Sequence, residues 1–288
     1  MSMVLMPGAP AGLSSSIKCA GVPMSVVVSA DGTPIAYSRT GSGPALVLVD
    51  GAFGHRAFGP NENLAPVLAH RFTVYTYDRR GRGGSSDAEP FAVEREYEDL
   101  AAVIGEAGGD AFVYGISSGA ALVLDAVAHG VPAGRVAVFE APFVVDGSRR
   151  PVPGDHQQQL AALLEAGERG KAVHWFMTKG VGLPPAFVIL MRLMPAWRRL
   201  TAIAHTVPYD LAHLGDAGSG RPLSAARWAG IQTPVLVIDG GRSPAWMRTA
   251  MAELARTLPS ASYQTLPGQM HVVKPQAIAP VLTSYFTG

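Results

Sequence analysis

An α/β fold is what this sequence predicts: a mostly parallel, eight-stranded sheet with helices on both faces and an inserted α-helical cap. Three observations carry the expectation. Eight short β-rich runs recur along the chain. Helical patterns separate most of them, as strand–helix–strand crossovers require. Over residues 143–227 the alternation breaks, and only helical patterns follow a Pro/Gly/Arg-rich loop.

Ser25–Ser29 and Ile35–Ser38 flank the turn sequence Asp31-Gly32-Thr33-Pro34 and read as an opening hairpin. Ala45–Val49 is continuously apolar, as a strand covered on both faces should be. Phe72–Tyr77, Ala111–Tyr114, Val136–Phe139, Val235–Ile238 and Ser262–Leu266 complete the strands. Helices are expected over Asn61–Ala69, Val93–Ala107, Ser118–Ala128, Ala245–Leu258 and Ala277–Tyr285. Glu98 and Asp99 read as the solvated face of the second of these. Within the insertion, helical patterns cover Gln157–Ala166, Lys171–Thr178, Pro185–Met194 and Trp197–His205. Its Trp175, Phe176, Met177, Phe187, Met191, Met194 and Trp197 are either the insertion's own core or an apolar lining turned towards a site. The domain organisation expected is a flexible extension over 1–24, a core over 25–142 and 228–288, and a cap over 143–227.

Composition narrows the function. With 48% hydrophobic residues, the 288-residue chain can bury a full core. The formal net charge of +1 gives no electrostatic footprint for nucleic acid. No run reaches the roughly 18 uninterrupted apolar residues of a membrane span, so no membrane partner is expected. The single cysteine, Cys19, excludes an internal disulfide framework and suits a reducing, cytoplasmic setting. Metal-ligand spacings and a dinucleotide glycine fingerprint are absent, so no cofactor or metal is expected. The partner expected is a small-molecule substrate, with a homodimer allowed.

Gly115-Ile116-Ser117-Ser118-Gly119 is a G-x-S-x-G pentapeptide between a β-rich run and a helical one. Such a strand-to-helix turn displays a serine hydroxyl in an exposed, strained position, backed by a helix N-terminus. A serine nucleophile needs a base, and the chain order serine, acid, histidine is met by His271 in the loop after the last strand. That histidine would act as general base and then general acid. Two backbone N–H groups must hold an oxyanion. Ser118 supplies one, and Ala52, in the loop Asp50-Gly51-Ala52-Phe53-Gly54-His55, supplies the other.

These residues carry a specific resemblance. Asp31-Gly32-Thr33-Pro34-Ile35-Ala36-Tyr37, the Asp50-Gly51 loop, Tyr77-Asp78-Arg79-Arg80-Gly81-Arg82-Gly83-Gly84-Ser85, the serine pentapeptide and Gly268-Gln269-Met270-His271 together resemble the α/β-hydrolase fold family. The nearest likeness is to small ester and lactone hydrolases and cofactor-free haloperoxidase-like members. It covers about 25–142 and 228–287. The Asp78 loop is expected to tie strands together rather than to react.

Three positions depart from the family pattern. Asp50 stands where a histidine is usual, and Ile116 occupies an elbow position often filled by histidine or a polar residue. Ser243 stands where the family's acid usually follows the seventh strand. Two acids can replace it. Glu140 ends the sixth strand, as in haloalkane dehalogenases and some lipases, and is preferred; Asp239, at the end of the seventh, is the alternative. The resemblance implies a hydrolase of the carboxylic-ester type that cleaves an ester, lactone or thioester through an acyl-enzyme. A serine where dehalogenases and epoxide hydrolases carry aspartate argues against their chemistries. A lyase or cyclase using His271 as base, or a non-catalytic binding protein, stays open as an alternative.

Overall fold

Strand ends, rather than strand centres, decide this architecture, because the register of the sheet lines up one row of turns. The computed structural model describes residues 18–19 and 22–288. The extension expected over 1–24 lies almost wholly outside them, as does the Cys19 side chain. Eight strands form the main sheet: β1 Ser25–Val28, β2 Pro34–Gly41, β3 Ala45–Val49, β4 Thr73–Tyr77, β5 Phe112–Ile116, β6 Val136–Phe139, β7 Val235–Gly240 and β8 Ala261–Leu266. Their spatial order is β8-β7-β6-β5-β3-β4-β2-β1. The six from β3 onwards run parallel, while β2 is antiparallel to both neighbours.

The parallel strands are apolar on both faces because helices cover both. Leu46 and Leu48 of β3 pack with Leu64, Leu68, Ile278 and Leu282, from α1 Pro60–Leu68 and α10 Pro275–Thr287. Val47 and Val49 of the same strand join the opposite layer. That layer holds α2 Val93–Glu106, α3 Ser118–Ala128 and α9 Ala245–Thr257. Each such fully buried aliphatic side chain is worth roughly 1.5–3 kcal/mol of transfer free energy. Ten of the eleven α3 residues are buried. A helix apolar all round needs partners all round, and α2 and the insertion supply them.

Between β6 and β7 the chain forms helices alone: α4 His156–Glu165, α5 Arg169–Trp175, α6 Pro185–Met191, α7 Ala196–Ala202 and α8 Val207–Ala212, with short 3₁₀ turns near its end. The expected helix over Lys171–Thr178 is instead α5 followed by a π-turn, Phe176–Gly180. Helix α8 was not anticipated. Its Pro208 and short length obscure the periodicity. The aromatic and methionine side chains divide. Trp175 and Phe176 are buried, whereas Phe187 and Met194 are more than half exposed.

The expectation for Asp99 is corrected. It is fully buried and accepts two hydrogen bonds from Arg80, at 2.7 and 2.8 Å. The polar face of α2 packs on the arginine-rich loop after β4 rather than on water. Glu98 stays partly exposed, paired with Arg95 at 2.8 Å.

Candidate active site

Among the described residues only three non-glycine residues have positive φ: Phe53 at 61°, Ser117 at 58° and Glu140 at 48°. They follow β3, β5 and β6, three adjacent strands. The pairs Val49↔Gly115, Ile116↔Phe139 and Phe139↔Ile238 bring the turns into one row at the carboxyl edge of the sheet. Each such conformation costs on the order of 1–3 kcal/mol and persists only where surrounding structure enforces it.

Ser117 is the N-cap of α3, with φ 58° and ψ −130°. Its own N–H donates to the Phe139 carbonyl at 2.9 Å. The turn fits because its neighbours carry no side chain. A Cβ on Gly51 would lie 2.7 Å from Ser117 Cβ, and one on Gly119 would lie 2.5 Å from the Asp50 carbonyl oxygen. The β3 loop and the serine turn are therefore pressed together at backbone distance.

His271 lies in the loop between β8 and α10 and is partly exposed. Its Nδ1 is 2.8 Å from Glu140 Oε2. Glu140 is fully buried, and its Oε1 accepts the Gly240 N–H at 2.7 Å. One carboxylate oxygen thus fixes the acid to β7 while the other fixes the imidazole. The bond to Nδ1 leaves Nε2 as the outward nitrogen. Asp239, the alternative acid, is buried but turned to the outer strand, where the Tyr263 hydroxyl donates to its Oδ2 at 2.6 Å. It makes no hydrogen bond to His271. Ser243 is also buried, its hydroxyl packed where a Cβ on Gly240 would approach within 2.9 Å. Among the described residues no hydrogen bond joins Ser117 to His271; such bonds commonly tighten only around a substrate.

Ala52 and Ser118 belong to two of these turns, directly before Phe53 and directly after Ser117. The Gly51 carbonyl accepts a hydrogen bond from Arg82 Nη1 at 2.8 Å. Ser118, first residue of α3, donates its hydroxyl to Asp210 Oδ1 at 2.7 Å. Asp210 belongs to α8 and binds Arg79 and Arg82 as well, each at 2.7 Å. Arg79 also forms a two-pronged pair with Glu96, at 2.6 and 2.7 Å, and His213 reaches Glu96 at 2.7 Å. Burial opposes ionisation of Asp210, but the Arg82 and Arg79 charges win and hold its carboxyl below the ordinary aspartate value. Charges this deep need partners this close.

Sequence reasoning placed Arg82 in a loop expected to tie strands together, and it did not single out Asp210. Three arginines in four residues, Arg79 to Arg82, within so apolar a chain were the available signal that buried acids must answer them. Nothing local marks Asp210. Asp78 ties loops together, accepting from the Arg56 N–H, the Arg56 guanidinium and the Gly84 N–H at 2.7–2.9 Å. Asp50 is fully buried beside Gly54 and Gly59, and burial pushes its carboxyl up to about 7. Among the described residues no group of three or more His, Cys, Asp or Glu side chains is arranged to hold a metal ion. No described helix is long and apolar enough to cross a membrane.

Comparison with known proteins bears on the fold and the family. The sequence model described as "Alpha/beta hydrolase family" matches residues 27–281. An alpha/beta hydrolase from Sphaerobacter thermophilus DSM 20745, known as a crystal structure, is 56% identical with a TM-score of 0.85, over 91% of this chain and 100% of that one. An esterase from Rhodococcus sp. ECU1013 shares the fold at 21% identity and a TM-score of 0.62, over 92% of this chain and 98% of its own. A curated relative, the uncharacterized hydrolase YraK of Bacillus subtilis (strain 168), is 38% identical over 98 residues, 33% of this chain. That match spans only 35% of the relative's length. The strained serine turn, the row of strand ends behind it and the match across nearly the whole chain lead to one conclusion: the chain is a hydrolase of the alpha/beta hydrolase family.

Proposed function

We propose that this hydrolase uses Ser117 as nucleophile to cleave an ester, lactone or thioester of a fairly apolar small molecule through an acyl-enzyme. The observation that carries the reading is the Glu140–His271 contact of 2.8 Å, because a buried, doubly anchored carboxylate is what an imidazole needs to act as base at neutral pH. Ser117 attacks the carbonyl carbon while His271 Nε2 takes the hydroxyl proton. The N–H groups of Ala52 and Ser118 hold the oxyanion. The tetrahedral intermediate collapses, the leaving group receives the proton from His271, and water activated by the same ring releases the acid and restores the serine. Glu140 is not protonated in this cycle; it orients the ring and balances the imidazolium.

The helical insertion acts as a cap. Phe176 packs edge-on against Phe53 of the β3 loop with ring centroids 5.4 Å apart, which supports an apolar substrate. The single cysteine favours a reducing, cytoplasmic setting, and the serine chemistry needs no cofactor.

A fluorophosphonate probe followed by peptide mass spectrometry tests the reading. The expected result is one label per chain, on Ser117, lost in Ser117→Ala. A folded chain that takes no label overturns it, since a lyase or a binding protein has no need of an activated serine.

A further inference from the structure

The insertion carries an exposed surface that neither the sheet nor the serine turn uses. Of the eleven exposed large apolar side chains identified among the described residues, six fall within fourteen positions. They are Val181, Phe187, Ile189, Leu190, Leu193 and Met194, with exposures from 41% to 82%. Helix α6 buries one residue only, Val188. Folded chains rarely leave so dense an apolar patch open to water unless something covers it.

The charges along this stretch of the insertion are predominantly of one sign. From Arg169 to Tyr209 the sequence carries Arg169, Lys171, Lys179, Arg192, Arg198 and Arg199 and no acidic residue. All six cations are exposed, and one of them, Lys171, is paired with Glu168 at 2.6 Å. The whole chain has a formal charge of only +1, so the rest of the molecule is net acidic and the cations are concentrated here. Arg192 lies over the Trp197 ring and Arg199 over the Phe58 ring, at 5.7 and 5.5 Å, so these two guanidiniums rest on apolar surface.

We infer that the α6–α7 segment docks on an anionic lipid surface, with Phe187, Leu190 and Leu193 entering the acyl boundary and Lys179, Arg192 and Arg198 meeting acidic headgroups. Two observations point to this occupant. The apolar centre with a cationic surround matches the layering of an acidic bilayer, charge outside and hydrocarbon beneath. A second copy of the chain is disfavoured by the same charges, because a two-fold interface would set like patch on like patch and bring the cations together. The expectation of no membrane partner rested on the lack of a spanning run, and peripheral docking needs none.

Vesicle sedimentation tests the inference with the full chain and needs no turnover, so it stands apart from the assignment of Ser117. Phosphatidylcholine vesicles are compared with phosphatidylcholine–phosphatidylglycerol vesicles, at low and high salt. Binding about a hundredfold stronger to the anionic vesicles is expected, weakened by salt, as three surface cations at roughly 1 kcal/mol each imply. Leu193→Asp should abolish it and Arg192→Glu should weaken it. Val28→Ser, at an exposed position on the edge strand β1, should leave it unchanged. Light scattering on the same proteins gives the opposing outcome. A dimer broken by Leu193→Asp, without vesicle binding, would overturn the inference and assign the patch to a second copy. Folded wild type that ignores anionic vesicles, or Leu193→Asp binding like wild type, overturns it as well.

Discussion

Arg82 Nη1 donates to the Gly51 carbonyl at 2.8 Å, and that carbonyl shares its planar peptide with the Ala52 N–H. A trans peptide points its C=O and N–H in opposite directions. Fixing the oxygen on the buried guanidinium therefore aims the Ala52 N–H away from Arg82. The same cation also reaches the start of α3: Arg82 binds Asp210 at 2.7 Å, and Asp210 receives the Ser118 hydroxyl at 2.7 Å. One buried ion cluster thus holds the Gly51 carbonyl of the β3 loop and the Ser118 side chain that follows Ser117.

Arg82→Lys tests that role. Lysine keeps the charge, but a single ammonium cannot span Gly51, Asp210 and Thr206, as the guanidinium does. A misaimed oxyanion donor should lower kcat by about 10- to 100-fold while leaving KM within about threefold. Arg80→Lys is the control. Arg80 is as buried and as fully paired, to Asp99 and Asp31, but touches no residue of the serine site. It should lower Tm and spare the kcat of the folded enzyme. Equal kcat losses in both variants would assign Arg82 to stability alone.

Glu140→Gln should reduce kcat by about three to four orders of magnitude with folding intact, because an amide cannot balance an imidazolium and favours the wrong ring tautomer. Asp239→Asn should stay within about tenfold of wild type, since its carboxylate serves Tyr263. Ester hydrolysis with circular dichroism as the folding check separates them. Inactive Asp239→Asn beside active Glu140→Gln would reverse the assignment.

Asp50 gives the fold a pH dependence. Burial raises its carboxyl from 3.8 to about 7 in the folded chain, against the weaker pull of Arg82 and Arg79. Between those values the folded state keeps a proton that the unfolded state has released. Stability from this group is therefore full below about pH 4, falls as pH rises to about 7, and is flat above. Asp50→Asn removes the penalty. Its stability relative to wild type should improve by about 2–4 kcal/mol on going from pH 4 to pH 8, read by denaturant titration at each pH. A difference unchanged with pH would remove Asp50 as the cause.

How far the sequence could be read follows from how local each signal is. The eight strands and α3 are legible because apolar runs and the glycines around Ser117 are local features. Glu140 is legible only as one of two acids, since choosing it needs the register Phe139↔Ile238 and the side to which Asp239 turns. Asp210 is invisible for the same reason: its partners lie 92 to 131 positions away, and no spacing encodes that. Asp99 was misread because amphipathic periodicity tells which face of α2 is polar but not that buried arginines wait against it.

The two glycines Gly51 and Gly105 separate close approach from conformational freedom. A Cβ at Gly51 would meet Ser117 Cβ at 2.7 Å and the Ile116 carbonyl oxygen at 3.0 Å, and both belong to the serine turn rather than to any yielding side chain. Gly105, in the last turn of α2, has nothing within 4 Å of that point. Gly105→Ala should therefore gain up to about 1 kcal/mol from helix propensity. Gly51→Ala must push the β3 loop off the serine turn. That overpacking costs about 1–3 kcal/mol. It also moves the Ala52 N–H, and losing one oxyanion donor costs about 100- to 1000-fold in kcat. Thermal unfolding and ester hydrolysis on both variants check the pair. A Gly51→Ala enzyme with wild-type kcat would mean that Ala52 holds no oxyanion, and the second donor would have to be sought elsewhere along the loop.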